Sequence, residues 1–298
     1  MKVLVAGTSG LIGGALVPAL RAAGHEVVRL VRHAPLDPSE IFWEPGARSL
    51  DATRLEGVDA IVNLSGENIA ARRWSAAQRE RILRSRVDAT FTLVTAIAKL
   101  ARKPAVLISA SATGFYGDRG DEELTEASGM GHGFFPEVCL AWETHAEGAA
   151  RAGVRTVLLR FGVVLAREGG ALAKILPVFR LGLGGRVGDG RQWLSWVGLD
   201  DAVGAVCFAL AEHRCAGAFN VVAPAPVPNA EFAATLGRVL RRPAVVAVPV
   251  WALRLVYGRL ADETLLASTR VLPAKLGAAG YEFRRPSLET ALRQVLGK

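Results

Sequence analysis

The chain has 298 residues, room for about two domains at ~150 residues each, or for one α/β domain with an appendage. Hydrophobic residues make up 51% and charged residues 21%, a globular balance that excludes disorder, a collagen-like fibre and a coiled coil. The net charge of +8, carried mostly by arginine, attracts anions such as nucleotides, acyl-phosphates or nucleic acid without choosing among them. Cys139, Cys207 and Cys215 form no CxxC pair, which speaks against a disulfide framework or a zinc site and for a reducing, cytoplasmic setting. The uncharged run Val3–Leu20 behind Lys2 mimics a signal peptide or membrane span. Gly7, Gly10, Gly13, Gly14 and Pro18 break it, so neither is expected.

In chain order, Val3–Ala6 reads as a strand buried on both faces, as in a parallel sheet. Leu11–Ala23 is helix-like and stops at Gly24, and Glu26–Val31 and Asp59–Leu64 are further apolar strand runs. The spacing of Ile82, Leu83, Val87, Val94, Ile97 and Ala101 predicts a long helix over Ser75–Leu100, with Ser75 as N-cap and Pro104 as stop. Ala105–Ser109 (strand), Phe134–Ala152 (helix) and Val154–Leu159 (strand) continue an alternation that predicts a Rossmann-type doubly wound parallel sheet. Beyond Phe161 the rhythm loosens. Trp193–Val197 and Phe219–Val222 read as strands and Asp200–Ala211 as a helix. Pro224, Pro226 and Pro228 form a hinge-like tract, and Asn229 caps a helix through Leu240. The expected organisation is a dinucleotide-binding domain over 1–165, to which about 193–223 returns, and a small α+β substrate-side lobe over 166–298. Ala244–Leu253 is expected to be core or lobe interface.

Gly7-Thr8-Ser9-Gly10-Leu11-Ile12-Gly13 sits between the first strand and the first helix. This GxxGxxG spacing is a variant of the dinucleotide fingerprint: bare backbone lets a pyrophosphate approach, and the helix N-terminus offers free N–H groups. At the end of the second strand, NAD binders place an acid for the ribose 2′-hydroxyl. Here Arg32 stands instead, a guanidinium suited to a 2′-phosphate, and NADP(H) is the expected cofactor. Leu64, Ser65, Gly66 and Glu67 follow another strand and suit a turn beneath a ribose.

On these residues the chain resembles the short-chain dehydrogenase/reductase superfamily, in its extended, epimerase/dehydratase-like branch. GxxGxxG, Asn63-Leu64-Ser65-Gly66, Ser109-Ala110-Ser111-Ala112-Thr113-Gly114-Phe115-Tyr116-Gly117 and Leu124-Thr125-Glu126 fall in that branch's order. More narrowly it is similar to a divergent epimerase-like family of bacteria and animal mitochondria. Gly66-Glu67-Asn68-Ile69, Arg72-Arg73-Trp74, Ser85-Arg86, Trp142-Glu143, Arg160-Phe161-Gly162-Val163-Val164-Leu165 and Leu181-Gly182-Leu183-Gly184-Gly185 carry that likeness. That family ends in a small C-terminal region of uncharacterised role, which residues 224–296 match, and it implies no established substrate.

The superfamily's chemistry uses a Tyr-x-x-x-Lys pair whose lysine lowers the tyrosine pKa from ~10. Here Val138 and Trp142 occupy those helix positions. Ser111 and Thr113 stand where the superfamily keeps a substrate-binding hydroxyl, and Tyr116 is the candidate acid, with packing under the cofactor as its bland alternative. Arg86 and Arg160 are expected at the cofactor or an anionic substrate. Glu126 and Glu143 read as bases or, more plainly, as salt-bridged carboxylates, and Cys139 as a buried apolar residue. The arginines from Arg72 to Arg86 read mostly as a solvated face. The expected partner is a small-molecule substrate, with no nucleic acid and no membrane, and a homodimer stays open. Two functions follow: an NADP(H)-dependent oxidoreductase or epimerase-like enzyme with an atypical acid, or a catalytically silent NADP(H)-binding redox sensor or scaffold.

Overall fold

The computed structural model describes residues 1–298. The first half alternates strand and helix: β1 (Lys2–Ala6), α1 (Leu11–Ala22), β2 (Glu26–Val31), β3 (Glu40–Glu44), β4 (Ser49–Leu50), β5 (Ala60–Asn63), α2 (Ala76–Lys99) and β6 (Val106–Ala112). There follow β7 (Glu123–Leu124), α3 (Phe134–Arg151), β8 (Arg155–Phe161), β9 (Val163–Leu165), α4 (Gly170–Arg180), β10 (Trp193–Leu194), β11 (Trp196–Gly198), α5 (Leu199–Ala211) and β12 (Gly217–Val221). The chain closes with β13 (Val227–Pro228), α6 (Asn229–Leu240), α7 (Val250–Tyr257), β14 (Arg270–Val271), α8 (Ala274–Ala278) and α9 (Leu288–Leu296).

The central sheet has the order β12-β8-β6-β5-β1-β2-β3-β4 and is parallel except for the β3–β4 edge. Its strands read as unbroken apolar runs because both faces are covered. Leu16, Val17 and Leu20 of α1 pack with Ala202, Val206 and Ala209 of α5 on one face. Ala89, Leu93, Ala96 and Ile97 of α2 cover Leu4, Ile61 and Leu107 on the other, where α3 lies beside α2. All parallel strands run the same way, so the loops after β1, β2, β5, β6 and β8 gather at one edge. The chain reverses its direction of winding between β1 and β5, the switch point at which such sheets bind ligands.

Ser75 caps α2 as the sequence predicts, its side chain accepting from Gln78 N. Other expectations need correction. Trp193–Val197 is not one strand: Ser195 divides it, β10 pairing antiparallel with β13 and β11 parallel with β9. The proline tract is no hinge, since Val227–Pro228 is the pairing strand β13. Asn229 opens α6 but makes no side-chain cap, and its Oδ1 accepts from Val187 N at 2.7 Å. Ala244–Leu253 is not core. Val245 is 84% and Trp251 70% exposed, with only Leu253 buried. The strand Glu40–Glu44 is hidden from sequence by its shortness and its charged ends.

The C-terminal segment has its own core, in which Leu172, Leu176 and Phe179 of α4 meet Phe232 and Leu236 of α6 and Leu288, Leu292 and Leu296 of α9. Between these elements, β12 returns to the central sheet beside β8, with Val221 opposite Phe161. No helix is long and apolar enough to cross a membrane.

Asp201 in the first turn of α5 ties the tail to this body. Its buried carboxylate accepts from Arg284 N (2.8 Å) and Arg285 N (3.1 Å), and the Tyr281 hydroxyl donates to its backbone carbonyl at 3.0 Å. Asp201→Ala should therefore lower unfolding stability by about 2–3 kcal/mol in a urea titration, because two backbone N–H groups lose a charged acceptor. Limited proteolysis should speed up at residues 281–287; an unchanged cleavage rate would refute the tether.

Candidate functional site

The glycine loop is shaped by contacts that no side chain permits. Gly7 follows β1 at φ +83°, and a Cβ on it would fall 2.6 Å from the Leu64 carbonyl group. A Cβ on Gly13 would sit 2.2 Å from the Gly7 carbonyl oxygen. Gly10 N donates to Gly7 O at 3.1 Å and closes the turn. Gly10 itself is the N-cap of α1, with no side-chain cap and no acid in the first turn. The first N–H groups of α1 thus lack an intrahelical partner and face outward at the positive end of the helix. Thr8 and Ser9 lie in the turn, Leu11 packs against Gly169 and Gly170, and Ile12 leans on the core.

Arg32 stands just past β2, exposed. The nearby acids do not compete for it, because Arg29 takes both, meeting Glu40 at 2.9 Å and Asp37 at 3.1 Å. On the other side of β1, Asn63 ends β5 with its side chain donating to Thr90 Oγ1 and accepting from Ser65 N. This bends Leu64–Glu67 across the strand tips, and Glu67 N donates to Ser85 Oγ at 2.9 Å.

Arg86 projects from α2 beneath that turn. It is 8% exposed and donates to two backbone carbonyls, Ile82 O and Glu67 O, with no carboxylate partner. Its guanidinium lies 5.0 Å over the Trp142 ring on α3. Burial pushes its pKa down, yet a guanidinium stays charged at neutral pH. Three buried polar atoms here have no partner: Ser65 Oγ, Arg86 Nε and Trp142 Nε1.

Beneath α3 runs a closed polar chain. Ser111 and Arg160 are register partners on β6 and β8, so their side chains share one face of the sheet. Ser111 Oγ donates to Glu143 Oε1 at 2.5 Å, and Arg160 grips Glu143 with two hydrogen bonds of 2.8 and 2.7 Å. Arg160 also donates to the Tyr116 hydroxyl (3.0 Å), which donates to Asn220 Oδ1 on β12 (2.7 Å). The Arg160 guanidinium stacks 3.5 Å from the Phe115 ring centre. Burial alone would depress the Arg160 pKa, but the Glu143 hydrogen bonds and charge raise it. The Tyr116 phenol is pushed up by burial, with partial relief from Arg160.

The structure therefore does not bring the expected catalytic trio together as a working set. Tyr116 is fully buried with its hydroxyl engaged on both sides, and Ser111 is committed to Glu143. Arg160, expected at the cofactor, has three of its five N–H donors engaged inside the fold. Thr113 follows Ser111 past the end of β6 in a short 3₁₀ turn. Glu126 is a tether that accepts from Asn220 N and Lys275 N. Burial, then the Glu143 charge, push the Cys139 thiol up to about 12, so it is inert at neutral pH. Val138 packs against Trp74, Ile82 and Phe135. The sequence reading missed Asn220 and the Arg86–Trp142 stack. Neither has a local motif, since Asn220 lies 104 residues from Tyr116.

Residues 3–222 match the model of the NAD dependent epimerase/dehydratase family, and residues 248–295 match a domain of unknown function, DUF1731. The epimerase family protein Mb2239 of Mycobacterium bovis is 44% identical over 290 residues, covering 97% of this chain and 96% of that protein. The crystal structure of human epimerase family protein SDR39U1 (isoform 2) with NADPH superposes with a TM-score of 0.92 at 36% identity, covering 100% and 99% of the two chains. MoeE5 in complex with UDP-glucose and NAD shares the fold, with a TM-score of 0.79 at 23% identity over 100% of this chain and 98% of that one.

Deleting one half of the buried ion pair should be costly. Glu143→Ala leaves the Arg160 guanidinium without its anion and should lower stability by about 3–5 kcal/mol in chemical denaturation. The double change Glu143→Leu/Arg160→Met should recover most of that loss. A single variant as stable as the parent would refute the account.

Proposed function

The chain belongs to the NAD dependent epimerase/dehydratase family, and from that membership we propose that it is an NADP(H)-binding, atypical short-chain oxidoreductase acting on a small molecule. The observation that carries the cofactor half is the fit of the edge between β2 and β5 to a dinucleotide phosphate. Gly7 and Gly13 bring the backbone close where a Cβ would clash, and the outward N–H groups of α1 suit a pyrophosphate. Arg32 offers a free guanidinium to a 2′-phosphate. The NADPH in the human relative's crystal structure supports the same choice. Thr8, Ser9, Leu11 and Ile12 complete the turn, and Leu64, Ser65, Gly66 and Glu67 form the opposite wall.

When bound, this cofactor supplies or accepts a hydride at its nicotinamide ring. The chain's own part is orientation and proton handling. Ser111 and Tyr116 serve the reading poorly, because each hydroxyl already donates its one proton within the fold. Thr113, one step further along the same loop, makes no such commitment and is the hydroxyl we assign to the substrate oxygen. With no lysine beside it, its proton transfer is weak, so turnover is slow at neutral pH. The commitment of the Ser111 and Tyr116 protons also favours the second reading, a catalytically silent NADP(H)-binding protein.

Presenting the NADPH-loaded protein with a library of carbonyl compounds separates the two. Oxidation of NADPH that falls about 10²–10⁴-fold in Thr113→Val, at unchanged NADPH affinity, supports the enzyme. No oxidation with any compound supports the silent protein. Cofactor choice is tested by titration. Arg32→Ala should weaken NADPH about 10- to 150-fold and leave NADH unchanged, the worth of one charge-assisted phosphate contact; equal losses for both would refute the 2′-phosphate assignment. In the loop, Gly10→Val should fold and lose NADPH, since its Cβ meets only the Gly7 oxygen at 3.3 Å, whereas Gly13→Ala should disrupt the turn itself.

A further inference from the structure

Three helices of the C-terminal segment end at one place. α4 ends at Arg180, α6 at Leu240 and α9 at Leu296, and these residues line a single cavity of about 490 Å³, a size that takes a small molecule. Arg167 joins them from the loop after β9, Arg242 from the turn after α6, and Lys298 from beyond α9. Four cationic side chains thus line the cavity, and no acid does. Glu168, beside Arg167 in sequence, lines the neighbouring cleft with Asp200 and Asp201 instead.

The fold does not use these cations. No ion pair of the chain involves Arg167, Arg180, Arg242 or Lys298. They do not cap the helices either, because backbone closes each end. Leu181 N and Gly182 N donate to Pro177 O and Phe179 O after α4, and Arg241 N and Arg242 N to Arg238 O and Gly237 O after α6. Gly297 N and Lys298 N donate to Gln294 O and Arg293 O after α9. The negative poles of three helix dipoles answer about half a charge each, ~1.5 against four cations, so an excess of about two and a half positive charges is left. A sphere of the cavity's volume is about 10 Å across, one screening length at 0.1 M salt, so the like charges repel one another until an anion enters.

We propose that this cavity is a second anion site, which takes a compact polyphosphate: an anion whose linked phosphate groups carry several charges. A guanidinium grips a phosphate through two parallel N–H donors, and three guanidiniums from separate elements surround one cavity. Linked phosphates engage all three at once. A single carboxylate carries one charge and leaves most of the excess unanswered. The site is separate from the dinucleotide edge, since Arg32, the Gly7–Gly13 turn and the Leu64–Glu67 turn contribute nothing to its lining. It gives the C-terminal segment a ligand of its own, whether or not that edge holds NADP(H).

The test is a calorimetric titration of the full chain with tripolyphosphate and, separately, with inorganic phosphate. The parent should bind tripolyphosphate at least tenfold more tightly than phosphate, and added salt should weaken both. Arg180→Gln and Arg242→Gln should each weaken tripolyphosphate about tenfold, and the double variant about a hundredfold, the scale of one charge-assisted contact per guanidinium. Both side chains are exposed and unpaired, so these variants fold. Arg21→Gln/Lys99→Gln removes the same charge from exposed positions at the ends of α1 and α2 and should leave the affinity within about twofold. Equal losses in the two double variants would mean attraction to the overall charge of +8 and would overturn the site. Tripolyphosphate binding that Arg32→Ala abolishes and Arg180→Gln/Arg242→Gln spares would place it on the dinucleotide edge and overturn the site as well. So would a parent chain that does not bind tripolyphosphate, and neither of the last two results touches the choice between NADPH and NADH.

Discussion

A guanidinium taken out of water must be met by acceptors on every side, and the Arg160 side chain organises the middle of this protein by that requirement. Glu143 meets it from α3, Tyr116 from the loop after β6, and Phe115 covers its face. Through Glu143 it fixes Ser111, and through Tyr116 it reaches Asn220 on β12. Five segments of chain are thereby held in one register beneath α3. The pair repays its desolvation only because every oxygen and nitrogen in it is used.

Three arginines at the same edge of the sheet illustrate how environment assigns a role. Arg160 is buried with each nitrogen hydrogen-bonded and a carboxylate at its side, so it serves the fold. Arg32 is exposed, held away from local acids by the appetite of Arg29 for them. Arg86 is buried and under-satisfied, an arrangement a fold tolerates at cost. Side-chain type alone does not separate the three. The count of donors against acceptors around each guanidinium does.

Much of the fold was legible because its signals are local. A strand, a GxxGxxG turn and a helix in direct succession constrain one another over a dozen residues, and the clashes awaiting a Cβ on Gly7 and Gly13 explain the spacing. The polar chain beneath α3 was not legible, since Ser111 and Arg160 meet only through strand register and Asn220 arrives from 104 residues beyond Tyr116. Arg160 consequently read as a cofactor ligand and Tyr116 as an acid. The segment Ala244–Leu253, expected as core or lobe interface, is not core for a different reason. Apolar composition says that a stretch is able to be covered, not that this chain covers it, and Val245 and Trp251 face solvent.

The return of β12 to the flank of β8 has a consequence for how the protein comes into being on the ribosome. When Phe161 emerges, the strand it belongs to has a neighbour on one side only, and its outer backbone donors wait for residues 217–221. Everything between them, including α4, β11 and α5, must be synthesised before the sheet acquires its last parallel partner. During that interval an apolar strand presents an open hydrogen-bonding edge, the kind of surface that recruits other nascent chains. A high contact order of this sort slows folding, so the nucleotide half depends on late-made sequence for its completion. Division of the chain into an early and a late module in space does not correspond to one in time.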